Sequence, residues 1–323
     1  MTGLTRRRAS EITADYLNSR SVYEGGSYGT YSVKDREGRN WKFVSDSSIQ
    51  EQGGYSGDYQ VEMVSPICRY DDIETIQEIV RKLRTIGHAK VNSSCGIHIH
   101  VDASPHDARS LRNITNIMYS KEDLIYKALQ VRVARENRYC KKVDEVFIQK
   151  LNNRKPQSLE EVKRLWYDGE TIRSRWHYDS SRYHALNLHS VFQKGTIEFR
   201  LFNGTLHAGK IKSYIQFCLA ISHQALTQKK ASRIKTRSSN EKYTFRTWLL
   251  RLGLIGDEFK TARLHLLKNL EGNIAWKDPH QAIEQRERIR AARLQESVQE
   301  QTVSDANDVE LDHEEAQIIS QQM

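Results

Sequence analysis

The alternation of polar and apolar residues is clearest over residues 93–102, which read Ser-Ser-Cys-Gly-Ile-His-Ile-His-Val-Asp. A period of two is typical of a β-strand, whose side chains alternate between the two faces of a sheet. The pattern predicts that His98, His100 and Asp102 share one face, while the isoleucines and the valine between them enter a core. Two histidines and a carboxylate in this arrangement are suited to binding a metal ion or a phosphate group.

Three segments that precede the histidine strand also read as strands. Residues 28–33 and 40–44 form a predicted hairpin around a polar turn. A glycine-rich loop over 53–57 then leads into residues 59–65, which Pro66 ends. Alternation in this last segment places Glu62 on its polar face.

Two segments that follow the histidine strand carry the same signal. Residues 182–189 are a strand candidate with His189 among its polar residues. Residues 196–202 alternate strictly, so that Glu198 and Arg200 share one face and the residues between them are apolar. Four strand segments therefore present polar groups that could converge on one surface.

Between the strands, apolar residues recur with the helical period. The predicted helices cover residues 5–19, 72–86, 104–142 with a break near Ser120, 158–167, 207–226, and 243–270 in two parts. Because each helix is apolar on one side only, it can cover only the apolar face of the strands. This leaves one concave polar face, where a binding site is expected.

Composition limits the class of protein. The chain has 323 residues, of which 38% are hydrophobic and 28% charged, and no apolar run is long enough to predict a transmembrane helix. The arginines at residues 6–8 are not followed by an apolar segment, so no secretory signal is predicted. The four cysteines are scattered without a Cys-x-x-Cys pair, which favours reduced thiols and a cytoplasmic location.

The charge is unevenly distributed. The formal net charge is +9, but the tail from Glu296 onward carries eight acidic residues and no Lys or Arg, so the rest of the chain carries +17. A basic body attracts polyanions such as nucleotides, carboxylate substrates or nucleic acid. A solvated basic surface without a specific partner explains the same charge equally well. The last residues, charged and rich in Gln, are expected to form a helix that frays into a disordered acidic tail.

The polar strand residues suggest a chemistry when they are taken together. Glu and His side chains are ligands for divalent cations, and a guanidinium on the same face suits phosphoryl transfer because it neutralises charge on phosphate oxygens. Each residue taken alone has an ordinary structural explanation, such as an ion pair or a solvated strand face. Their joint occurrence on four strands favours a functional site.

These motifs resemble the amidoligase family, carboxylate-amine ligases related to glutamine synthetase and glutamate-cysteine ligase. Residues 95–102 are similar to the family's Gly-x-His-x-His-x-Asp signature. The segments that resemble its other motifs follow in the family's order at residues 41–49, 60–66, 182–188 and 196–205. The resemblance covers about residues 4–226 and implies an α+β fold of the glutamine-synthetase type. In that fold a curved antiparallel sheet carries helices on its outer face.

The resemblance also implies an activity and a domain division. ATP would phosphorylate a substrate carboxylate, and an amine would then attack the acyl phosphate to form an amide or peptide-like bond. The implied cofactors are ATP and Mg²⁺ or Mn²⁺, and the implied partners are small-molecule or peptide carboxylates and amines rather than a membrane. The catalytic domain is expected over residues 4–275 and the charged tail over 276–323.

Site roles carry over by motif. Glu62, His98 and Glu198 are the implied metal ligands. His100 is expected to contact a phosphate of ATP, and Arg200 to stabilise charge on the transferring phosphoryl group. 

Arg182 is a further candidate for binding phosphate or carboxylate. The family begins with a strand carrying Gly-x-Glu-x-Glu directly before the first helix, and this sequence starts with residues that resemble the segment after that strand. Either the start lies upstream, which we favour, or two carboxylate ligands are lost and activity is weakened or absent.

Two other functions remain open at the level of sequence. One is a metal-dependent hydrolase that binds zinc through His98 and His100. The other is a non-catalytic remnant of the fold that binds a nucleotide or nucleic acid through its basic body, which is possible but not favoured. The substrates and the oligomeric state cannot be read from these motifs.

Overall fold

A computed structural model describes residues 1–51, 57–278, 280–281 and 283–297. The predicted glycine-rich loop therefore lies largely outside the described residues, as does the acidic tail beyond residue 297. The chain divides into two compact units, one formed by residues 1–237 with 245–270 and the other by 238–244 with the described residues from 271 onward.

The strands form two antiparallel sheets. They are β1 Ser21–Gly25, β2 Thr30–Lys34, β3 Asn40–Ser45, β4 Val61–Val64, β5 Gly96–Asp102, β6 Leu186–Asn187 and β7 Thr196–Asn203. The first sheet has the order β1-β2-β3-β4 and the second the order β5-β7-β6. The mixed α+β class with antiparallel sheets is confirmed, and the single sheet that the resemblance implied is divided in two in the described part of the chain.

The helices range from 6 to 22 residues. They are α1 Arg6–Leu17, α2 Ile73–Thr85, α3 Ala108–Leu129, α4 Val133–Arg138, α5 Glu145–Arg154, α6 Leu159–Trp166, α7 His189–Lys194, α8 Ala208–Thr227, α9 Glu241–Arg251 and α10 Lys260–Leu267. Most of them lie within the predicted helical segments, whereas α5 and α7 were not predicted. In the described part of the chain, no helix is long and apolar enough to cross a membrane.

Helices α1 and α2 cover one face of the first sheet. Thr5 begins α1 by accepting a hydrogen bond from the Arg8 amide at its side-chain oxygen. Trp41 and Phe43 on β3 are fully buried beneath these helices, because they point to the covered face. The opposite face of β4 carries Glu62, which stays exposed.

The second sheet is backed by α3 and α8 in a larger core. Ile197, Phe199 and Leu201 of β7 point into it, while Glu198 and Arg200, which lie between them, face the other way. Helix α3 begins at Ala108 with Asp107 as its N-cap and runs without interruption, so the predicted start at residue 104 and the break near Ser120 are wrong. Ser120 is accommodated because its hydroxyl donates to the Ile117 carbonyl within the helix.

The segment predicted as a strand over residues 182–189 is mostly not a strand. Only Leu186–Asn187 pairs with β7, while Arg182 ends the short 3₁₀ turn Ser180–Arg182. His189 begins α7 and is buried, with its Nδ1 2.5 Å from the Tyr167 hydroxyl. It therefore does not belong to the polar strand face.

The second unit is small. Asn240 organises its start, because its amide nitrogen donates to the Trp276 carbonyl at 2.7 Å and its side-chain oxygen accepts from the Tyr243 amide at 3.0 Å. Gly272 has φ +100° and passes so close that an added Cβ would lie 2.2 Å from the Asn240 oxygen. The described residues of 283–297 are helical and exposed.

Candidate active site

The polar face of β5 and β7 brings the central candidate residues together. His98 and His100 point away from the core, and His100 is directly opposite Glu198 in the strand register. The pairing is irregular between Ile97 and Ile99, where β7 contributes an extra residue opposite His98. The predicted division of faces along β5 is confirmed.

Glu198 is the centre of the arrangement and is only 4% exposed. Its Oε1 accepts a hydrogen bond from Arg200 Nη1 at 2.6 Å, and its Oε2 accepts one from the Asn187 amide at 2.6 Å. His98 Nδ1 and His100 Nε2 lie 3.3 and 3.6 Å from the same Oε1. Burial acts to raise the pKa of Glu198, but Arg200 and the two histidines outweigh it and lower the pKa to about 2.

Both histidines are neutral at physiological pH. Loss of hydration, reinforced by the charge of Arg200, lowers the pKa of His98 to about 3. Loss of hydration also lowers the pKa of His100, whose Nδ1 lies 2.8 Å from the Thr196 hydroxyl. The side chains remain 31% and 35% exposed, so both rings line a surface that a ligand can reach.

Several contacts orient Arg200. Its Nε donates to the Tyr139 carbonyl at 3.3 Å, and its guanidinium lies 5.8 Å from the centre of the Tyr183 ring. With Glu198 on one side and the ring on the other, the planar group has little freedom to turn. A fixed guanidinium is suited to stabilising phosphate or carboxylate oxygens.

Arg182 lies at the margin of this site. Its Nη1 donates to the His177 carbonyl at 3.0 Å, and its guanidinium is 5.8 Å from the Tyr183 ring centre. Its charge contributes to the lowered pKa of His100. Arg182 and Arg200 thus contact the same Tyr183 ring.

Glu62 approaches the site from the first sheet. Glu62 is exposed, but nearby protein limits the hydration of its carboxyl and raises its pKa, and the Asp46 carboxylate adds to this shift. Lys194 and Arg200 act in the opposite direction, which places Glu62 in electrostatic reach of the second sheet. The link between them is one of charge, whereas Glu198, Arg200 and His98 are in direct contact.

The side chains of this site are of the types that bind a divalent cation, but their positions do not form a metal-binding cluster. Within the residues described, no group of three or more His, Cys, Asp or Glu side chains is placed to hold a metal ion. Neutral His98 and ionised Glu198 have the protonation states that a cation requires. Both Glu198 oxygens, however, already accept hydrogen bonds from Arg200 and Asn187. Glu62, His98 and Glu198 stay predicted ligands on donor type alone.

Three contacting residues were not assigned roles from the sequence. Tyr139 and Tyr183 frame Arg200, and Asn187 holds the second oxygen of Glu198. Asn187 lies on the polar face of the predicted strand segment 182–189, so the alternation of the sequence could have indicated that it faces the site. The tyrosines lie in turns, where no periodicity indicates which way a side chain points.

A buried carboxylate–guanidinium pair flanked by two neutral histidines lies on the exposed face of the second sheet, an arrangement that is suited to binding an anionic group. A family model described as "Putative amidoligase enzyme" matches residues 1–222. The chain therefore belongs to the amidoligase family, and the resemblance drawn from its motifs is confirmed. No curated protein and no solved structure matches the chain.

Proposed function

We propose that this protein is an ATP-dependent carboxylate-amine ligase of the glutamine-synthetase type. Membership of the amidoligase family supports a ligase function in general. The observation that carries the finer proposal is the Glu198–Arg200 pair, which holds a buried guanidinium beside two neutral imidazoles. This combination can stabilise phosphoryl oxygens without protonating the substrate carboxylate.

In the first step, a carboxylate oxygen of the substrate attacks the γ-phosphorus of ATP. The bond between that phosphorus and the β,γ-bridging oxygen breaks, giving an acyl phosphate and ADP. Arg200 would stabilise the charge on the transferring group, and His100 would donate a hydrogen bond to a phosphate oxygen. Arg182 would bind an outer phosphate or the substrate carboxylate.

In the second step, an amine nitrogen attacks the acyl carbon. The bond from that carbon to the phosphate oxygen breaks, inorganic phosphate leaves, and the nitrogen loses a proton to give the amide. Mg²⁺ or Mn²⁺ held by Glu62, His98 and Glu198 would neutralise part of the phosphate charge.

Phosphate release tests the proposal. The full chain is incubated with ATP, Mg²⁺ and pools of amino-acid carboxylates and amines, and the pools are divided until one pair remains. We expect release that requires both a carboxylate and an amine and that chelation of the metal abolishes. Glu198→Gln should remove the activity, whereas Glu160→Gln, at a carboxylate that is 56% exposed, should not.

Specific outcomes would overturn the proposal. Absence of both ATP binding and Mg²⁺ binding excludes a ligase of this kind. Stoichiometric, tightly held zinc with hydrolysis of an amide or ester would favour a metal-dependent hydrolase. Salt-dependent RNA binding without ATP turnover would favour a non-catalytic role for the basic body.

A further inference from the structure

A second buried arginine lies behind the site, on helix α4. Arg135 is 3% exposed, and the described part of the chain places no carboxylate in an ion pair with it. Arginine is almost never fully buried unless it is paired, because removing its charge from water is costly. A buried and unpaired guanidinium therefore needs an explanation in the structure.

The guanidinium joins the two central strands through their backbones. Its Nη1 donates to the Cys95 carbonyl at 3.3 Å, directly before β5, and its Nη2 donates to the Arg200 carbonyl of β7 at 3.1 Å. The first carbonyl directly precedes the strand that carries His98, and the second belongs to the strand that carries Arg200. The planar guanidinium offers a separate nitrogen to each carbonyl, whereas a lysine would have to reach both from one nitrogen.

The sequence leaves room for this contact at Gly96. A Cβ added there would lie 2.4 to 2.7 Å from atoms of the Arg135 guanidinium, closer than real Cβ atoms approach. The glycine of the family signature is thus explained here by close packing against Arg135. Its φ is not in the left-handed region, so backbone conformation does not demand glycine at this position.

The contacts leave the charge of Arg135 unbalanced. Among the described residues its buried Nε has no hydrogen-bond partner, and Glu198 is already hydrogen-bonded to the neighbouring Arg200. Of these two buried guanidiniums, only that of Arg200 forms an ion pair with the buried Glu198. An uncompensated buried cation is balanced most simply by an anionic ligand in the adjacent site.

We propose that Arg135 is a positioning residue of this site. It clamps β5 to β7 behind His98 and Arg200, and its unbalanced charge prepares the site for an anion. The clamp is independent of the activity, whereas the role of the charge rests on the proposed function.

A double-mutant cycle in thermal unfolding tests the clamp. Gly96→Ala should lower the Tm by about 5 °C in the wild-type background, because its Cβ collides with the guanidinium. In an Arg135→Ala background the same change should lower the Tm by about 1 °C or less. Equal shifts in the two backgrounds would show that Gly96 does not make room for Arg135 and would overturn the clamp.

Anion binding tests the charge. Inorganic triphosphate is titrated into wild type, Arg135→Lys and Arg135→Met, with Arg132→Met as the control that removes an exposed cation of the same segment. The methionine variant should lose about tenfold in affinity, while the lysine variant should stay within about threefold of wild type. In ATP turnover, Arg135→Lys should lower kcat more than it raises KM, because Arg200 loses its backbone support. Equal losses for Arg135→Met and Arg132→Met would overturn the role of the charge.

The two tests separate this proposal from the proposed function. If wild type binds no triphosphate, the role of the charge fails, while the ATP and Mg²⁺ binding measurements still decide the proposed function and the Gly96 cycle still decides the clamp. If wild type binds triphosphate and turns over ATP while Arg135→Lys and Arg135→Met match it, only the inference about Arg135 fails.

Discussion

Two arginine clusters, one beside each sheet, show how similar residues can have different roles. In the first sheet, Arg39 donates from Nε to Asp35 at 2.9 Å and forks onto both oxygens of Asp72 at 2.8 and 2.9 Å. Asp35 also accepts from the Trp41 indole at 3.2 Å. This cluster joins a hairpin turn to the start of α2 and contains more carboxylates than guanidiniums.

The cluster in the second sheet has the opposite balance. Arg135, Arg200 and Glu198 are all buried, and one nitrogen of Arg135 has no hydrogen-bond partner among the residues that the structure describes. In the first cluster, the hydrogen bonds from Arg39 to Asp35 and Asp72 stabilise local structure, namely the hairpin turn and the start of α2. In the second, the protein retains an unbalanced positive charge beside an open face. We infer that an arginine paired with carboxylates has a structural role, whereas a buried arginine without a paired carboxylate is available to an anionic ligand.

The largest effect should come from the second cluster. Arg200→Met should lower ATP-dependent phosphate release by about 10²- to 10³-fold, because a preorganised group that stabilises the transferring charge is lost. Steady-state kinetics with the identified substrates would measure this, and circular dichroism would check that the variant folds. A folded variant with unchanged kcat would remove Arg200 from the reaction and weaken the contrast between the clusters.

The corresponding change in the first cluster should affect stability and not activity. Arg39→Met leaves Asp35 and Asp72 without their shared partner and should lower the free energy of unfolding by about 2 kcal/mol. Urea unfolding measures the loss, and Arg7→Met, at an arginine that is 73% exposed, is the matched control. If the folded Arg39→Met protein lost turnover at saturating substrate, the cluster could not be purely structural.

The first cluster should also make stability depend on pH in the acid range. Hydrogen bonds from Arg39 lower the pKa of Asp72 from 3.8 to about 2. Because the folded pKa lies below the unfolded one, the stabilisation is present above pH 4 and is lost as the pH falls through 2. Wild type should lose about 1 to 2 kcal/mol over this interval through Asp72, after allowance for solvent screening. Arg39→Met should show a shallower decline; parallel curves for the two proteins would contradict the assignment.

The smallest effect is expected at the margin of the site. Arg182 is partly exposed and donates to a backbone carbonyl, so Arg182→Met should raise KM for ATP or the carboxylate by about three- to tenfold with little change in kcat. Arg175→Met, at an exposed arginine of the neighbouring turn, serves as the control. An effect on kcat as large as that of Arg200→Met would place Arg182 within the reaction itself.

Much of the fold could be predicted where the pattern is local. Helices α1, α2 and α8 and strands β3, β5 and β7 lie close to their predicted positions, since each has one covered face and a matching periodicity. Strand β1 was missed because Val22 and Tyr23 are both exposed, at 54% and 62%, so burial does not alternate along it. His189 was misplaced because its helix is too short to show a helical period.

The site shows the same limit. Alternation alone determined that His98 and His100 share a face and that Glu198 and Arg200 share another, because side-chain direction in a strand is a local property. Only the tertiary structure decided that these two faces form one surface and that the strands form two sheets. It also decided that Glu198 accepts hydrogen bonds from Arg200 and Asn187. The tertiary structure also revealed Arg135 and explained Gly96, since the two meet through packing between segments some 40 residues apart. Partners of that kind leave no periodic trace in a sequence, because burial and charge balance depend on which segments meet.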